Sequence, residues 1–105
     1  MKIGELKNEL MSLINTDSQI EVEKVERYLN LVKIYKELDK TLKKDGYMIV
    51  VKNGAQSFLK ANSAIGEKVK INQALIKLGE FFDKKQEERD AASKNTNFAD
   101  PNEFL

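Results

Sequence analysis

The chain contains no histidine and no cysteine, and these two absences exclude much chemistry at once. Without histidine the commonest general base and metal ligand is missing. Without either residue, a zinc site or a Ser-His or Cys-His arrangement cannot be built. The lack of cysteine also rules out a disulfide framework and makes a reducing compartment the simplest home. Neither the P-loop spacing nor a Gly-x-Gly-x-x-Gly pattern occurs, so Gly54 and Gly66 form no phosphate cradle. The carboxylate pairs Glu21/Glu23 and Glu87/Glu88 fall on helix surfaces, where a solvated face is the simpler reading than a magnesium site. No apolar run approaches the roughly 18 residues of a membrane span. The start, "MKIGELKNELMSLIN", has acids among its apolar residues and no small-residue cleavage site, unlike a secretory signal. The expectation is a protein without catalysis, metal, cofactor or membrane contact.

What the sequence does hold is charge and helical periodicity. The 105 residues form one domain with a modest core. The overall charge of +1 is unevenly spread. Residues 1–45 balance nine basic against nine acidic side chains, residues 46–86 carry seven lysines against three acids, and residues 87–105 carry two basic against five acidic groups. A basic middle and an acidic end are compatible with two different partners.

Ile3, Leu6, Leu10, Leu13 and Ile14 recur at spacings of three and four, one apolar face of a short helix. "NTDS" breaks it, and Ser18 followed by Glu21 reads as a capping box opening a second helix. That helix runs to Lys44, where Asp45-Gly46 stops it. Its apolar face holds Val22, Val25, Tyr28, Leu29, Val32, Tyr35 and Leu42, with Leu31, Ile34 and Leu38 adjoining, wider than one coiled-coil seam needs. The stretch Tyr47 to Val51 is β-branched and aromatic. Asn53-Gly54 suits a type I′ turn, and Gln56 to Leu59 returns as a second strand. Asn62 or Ser63 then caps a third helix with the stripe Ile65, Val69, Ile71, Leu75, Ile76, Leu78 and Phe82, extending to about Ala92. The expected architecture is mainly α: a short N-terminal helix, then a long antiparallel helical hairpin joined by a small β-hairpin at about residues 47–60. Residues 1–92 form the domain, and residues 93–105 a flexible acidic tail.

Such a shape is elongated, since the second helix alone spans about 40 Å at 1.5 Å per residue. Two broad apolar faces then stay uncovered, and a lone two-stranded hairpin is marginal in water. Neighbouring copies solve both problems, so a homo-oligomer closing into a ring is expected. Its interface would draw on Val25, Tyr28, Leu29, Val32, Tyr35, Leu42, Tyr47, Ile49, Val51, Phe58, Leu75, Leu78 and Phe82. Lys52, Lys60, Lys68, Lys70 and Lys77, repeated around a ring, would give a positive field able to track a DNA backbone. Gly79, inside the third helix, reads either as a close helix approach or as a plain weak point. In the tail, Phe98, Phe104 and Leu105 are separated by acids and Pro101, which reads as a docking motif.

Between Val25 and Phe82 the order of elements resembles the small subunit of tailed-phage terminase, in the branch common in phages and prophages of Gram-positive bacteria. The resemblance rests on Gly46, Asn53-Gly54, "NSAI" at Asn62–Ile65, Ile71-Asn72, Leu75, Leu78-Gly79 and Phe81. Ser63 stands where that family more often has Pro. The resemblance implies a non-catalytic ring subunit in the bacterial host cytoplasm that binds double-stranded phage DNA at the packaging start. Such a subunit serves the large ATPase and nuclease subunit, and the tail would be a place for that partner. Many members also carry an N-terminal helix-turn-helix, for which Ile3 to Ile14 is too short. Two other readings fit the composition: a small oligomeric transcriptional regulator or antitoxin-like DNA binder, and a structural coiled-coil adaptor.

Overall fold

In the computed structural model the chain is described from Lys2 to Phe98, with side chains to Ser93. Helix α1 (Ile3–Leu13) is followed by α2 (Gln19–Asp45), the strands β1 (Met48–Asn53) and β2 (Gln56–Ala61), and helix α3 (Ala64–Phe98). The mainly helical order with one small antiparallel hairpin is as expected, and α3 continues six residues past the expected end near Ala92.

Each element boundary has a local cause. The Ser18 hydroxyl accepts from the Glu21 amide at 3.3 Å, one half of the expected capping box. The reciprocal half does not form. The Glu21 carboxylate reaches past Ser18 to accept from the Asn15 amide at 3.2 Å, and it pairs with Lys85 of α3 at 3.3 Å. Helix α2 ends at Gly46, whose φ of 82° suits glycine and whose amide donates to the Leu42 carbonyl at 2.8 Å.

The hairpin turn differs from the expected type I′. Asn53 pairs with Gln56, so the two loop residues are Gly54 and Ala55. Gly54 has φ 66° and no non-glycine residue among those described has a positive φ. Positive φ at the first loop position alone is the pattern of a type II′ turn, in which glycine sits first. An Asn-Gly pair fits a two-residue loop in either of two frames, and here the glycine leads.

Antiparallel packing of α2 on α3 forms the body. Glu21 meets Lys85, the Tyr28 ring lies beside Gly79, and Asp39 pairs with Lys68, so partners advance at equal pace in opposite directions. At one end α1 closes over both helices. Leu10, Val25, Leu29 and Phe82 are buried there, with Ile3, Leu6, Met11, Leu13, Ile14, Tyr28, Leu78 and Phe81 packed around them. Phe82 sits edge-on to both Tyr28 and Phe81, with ring centroids 5.4 and 5.2 Å apart. At the other end Leu42 and Ala64 are buried where the hairpin joins. The inner line of α3 is not the expected stripe throughout: Val69 and Ile76 are exposed, and Lys68 and Lys85 take inward places. Their ammonium groups face aromatic rings, that of Lys68 4.9 Å from the centre of Tyr35 and that of Lys85 5.6 Å from the centre of Phe81.

The result is a rod of 87 × 26 × 21 Å with a radius of gyration of 21.5 Å. A compact domain of this length would have about 13 Å. The elongation expected from the sequence is present, and the β-hairpin extends it, touching the helices only marginally outside its base.

Candidate interaction surfaces

The hairpin is held by one residue. Asn62 is buried; its amide donates to the Tyr47 carbonyl at 2.8 Å and its side-chain Nδ2 donates to the Gly46 carbonyl at 2.9 Å. Its Oδ1 accepts from the Ala64 amide at 3.0 Å, capping α3. The end of α2, the residue leading into β1 and the start of α3 therefore meet on Asn62, Gly46 and Ala64 through its side chain and Tyr47 through its backbone amide. The sequence marks Asn62 as a cap, but only the structure shows the bond across to Gly46.

Beyond that neck the ribbon is apolar on both sides. In the observed register Ile49 and Val51 share one face with Lys60 and Phe58, while Met48 and Val50 share the other with Ala61 and Leu59. Phe58 is 50% exposed, Tyr47 69%, Val50 62% and Leu59 67%. Met48, Val50 and Leu59 were not among the expected contact residues. The signal for Met48 and Val50 was the unbroken run "YMIVV", and for Leu59 the adjacent pair Phe58-Leu59, each offering apolar side chains at both parities and hence to both faces.

Of the residues expected between copies, Val25, Leu29, Leu42 and Phe82 are instead buried within the single chain, where they hold the helices together. Tyr28, Val32, Tyr35, Leu75, Leu78, Ile49 and Val51 are half-buried, and Tyr47 and Phe58 are exposed. The backbone of Phe98 ends α3, while Phe104 and Leu105 lie outside the described residues.

The five lysines do not form one patch. Lys52 and Lys60 lie on opposite faces of the ribbon. Lys68 is only 31% exposed, and its bond to Asp39, supported by Tyr35, raises its pKa above the ordinary lysine value and ties it inside the chain. Lys70 is exposed and pairs with Glu67 at 3.5 Å. Lys77 lies seven residues further along α3, on the same flank and about 10 Å away along the axis.

Lys77 also rims a groove of about 610 Å³ between α2 and α3. Leu31, Ala74, Leu78 and Phe81 make its apolar floor; Lys24, Arg27 and Asn30 make the opposite rim. The Lys24 ammonium sits 4.6 Å from the centre of the Phe81 ring. Arg27 pairs with Glu23 on the exposed side of α2. Sequence periodicity missed this site, because Lys24 and Arg27 read as ordinary solvated charges until α3 is laid alongside them. Among the described residues no group of histidine, cysteine or carboxylate side chains is placed to hold a metal, and no helix is long and apolar enough to cross a membrane.

Compared with known protein families, the sequence matches that described as phage terminase, small subunit, over residues 8–96. The chain belongs to the phage terminase small-subunit family. The match takes in the second half of α1, all of α2, the β-hairpin and nearly all of α3. It is broader than the Val25 to Phe82 stretch that carried the resemblance in the sequence. Searches among curated proteins and among solved structures find no match. In this terminase family member, both faces of the ribbon and the basic-rimmed groove are exposed among the described residues.

Proposed function

We propose that this terminase small subunit is a non-catalytic DNA-packaging factor of a phage or prophage of Gram-positive bacteria. It acts in the host cytoplasm, self-associates into a ring, binds phage DNA, and recruits or regulates the large ATPase and nuclease subunit. The family match over residues 8–96 carries the reading. Two structural features support the self-association: the rod shape and a ribbon apolar on both faces that no helix of its own chain covers. Exposed aliphatic groups of this size are worth about 1.5–3 kcal/mol each when buried, and a second copy is the nearest source of cover.

DNA contact in this reading falls to Lys52, Lys60, Lys70 and Lys77, which copies of the chain would bring together around a ring. Lys68 contributes mainly by keeping α3 on α2. The test has two arms. Light scattering on the purified chain is expected to give a closed oligomer, and a monomer at high concentration would overturn the assembly. Binding to duplex DNA is expected to weaken steeply with salt. The slope of log affinity against log salt should fall by about 0.9 for each phosphate contact removed in the Lys70→Gln/Lys77→Gln variant. Salt-independent binding, or none, would overturn the DNA role.

A further inference from the structure

We propose that the groove between α2 and α3 receives the acidic, aromatic segment around Phe104 from a second copy of the chain. This deepens the self-association proposed above and rests on it. The chemistry of the two parts is complementary. The groove offers Leu31, Leu78 and Phe81 beneath a rim of Lys24, Arg27 and Lys77. The segment offers Phe104 and Leu105 beside Asp100 and Glu103. Two nearby carboxylates are already engaged, Glu23 with Arg27 and Glu21 with Lys85. Among the described residues Lys24 and Lys77 form no salt bridge, Lys24 resting over the Phe81 ring, and these two cations meet the incoming acids. An aromatic side chain laid on Phe81, with an acid against the ammonium of Lys24, buries apolar area and forms charge pairs at a partly desolvated edge.

Reach decides that the segment comes from another copy. Helix α3 runs on from the groove to Phe98. From Phe81, the near edge of the groove, to Phe98 is about 25 Å along the helix axis. The six residues from Phe98 to Phe104 span at most about 20–22 Å when fully extended. Even turned straight back along its own helix, the segment ending in Phe104 and Leu105 comes no further than the Phe81 edge and cannot approach Leu31 or Ala74. A neighbouring rod meets no such limit. Docking in this way ties one subunit to the next by a contact separate from the ribbon.

The absence of cysteine makes the test direct. One chain carries Asn30→Cys on the exposed groove rim and a second carries Asn102→Cys, which leaves Phe104, Leu105 and both acids in place. Mixed and oxidised, they are expected to form disulfide-linked dimers. Lys40→Cys, ten residues and about 15 Å further along α2, should give severalfold less product with the same partner. Phe104→Ser with Leu105→Ser, or Lys24→Glu with Lys77→Glu, should remove most of the cross-link while circular dichroism shows the helices intact. An intact oligomer with no cross-link overturns this inference alone and leaves the assembly standing. The same holds for a disulfide within one chain carrying both cysteines, and for a segment bound only by the large subunit. A monomer in light scattering overturns both.

Discussion

The Asn62 side chain bridges to the Gly46 carbonyl at 2.9 Å, joining residues sixteen positions apart at the base of the hairpin. The same amide group caps α3 through Ala64, so one residue fixes both where the ribbon leaves the rod and where the next helix begins. Asn62→Ala would strand the half-buried Gly46 carbonyl and a helix amide, costing about 1–3 kcal/mol. Asn62→Asp keeps the cap but turns a carboxylate toward the Gly46 carbonyl, so it should be no more stable than the alanine variant. Urea unfolding midpoints decide it, and a wild-type midpoint for Asn62→Asp would show that the bridge contributes nothing.

Gly79 is expected to be replaceable. It lies inside α3, and a methyl group placed there would meet the Tyr28 ring at 3.7 Å, an ordinary van der Waals distance. Among the described residues nothing requires glycine at that point. Gly79→Ala should therefore raise stability by about 0.5–1 kcal/mol through helix propensity. A gain in thermal stability with unchanged assembly confirms this. A stable but poorly assembling variant would instead mark Gly79 as the place where a neighbouring helix approaches closely.

The contrast between Gly79 and Asn62 shows which features were legible in the sequence. Local punctuation was readable: Ser18 opens α2, Gly46 closes it, and Asn53-Gly54 announces the reversal, because caps and turns depend on a few adjacent residues. The long apolar faces gave the antiparallel rod and its length. What depends on the register between helices was not readable. The Asp39–Lys68 and Glu21–Lys85 pairs, and the groove framed by Lys24, Arg27, Lys77 and Phe81, exist only once α3 is set beside α2. Lys68 and Lys85 broke the stripe reading for the same reason. A lysine can occupy an inward position when its ammonium both faces an aromatic ring and finds a carboxylate.

Acid should loosen the junction of α1, α2 and α3. The Asn15 amide, reinforced by Lys85, holds the Glu21 carboxyl below the ordinary glutamate range, against an opposing push from burial. A carboxyl depressed in the folded state contributes stability that is fully present above its unfolded value of about 4.3 and is lost as pH falls through the lower folded value. The melting temperature should therefore decline below about pH 4.3, and more gently in Glu21→Gln, which starts lower at neutral pH. Parallel acid limbs for the two proteins would remove Glu21 from the account.

The two faces of the ribbon are open to a separate test because the hairpin barely touches the helices. Threonine retains strand propensity while removing most of the apolar surface. Val50→Thr/Leu59→Thr alters one face and Val51→Thr/Phe58→Thr the other, and neither pair should lower the melting temperature of the helical rod much. If neighbouring copies clamp the ribbon on both sides, each pair should raise the concentration needed for assembly by at least about tenfold. Sedimentation across a dilution series reads this. An unaltered assembly for the Val50 and Leu59 pair would leave that face to solvent, and with it the proposal that the ribbon's exposed side chains drive subunits together from both sides.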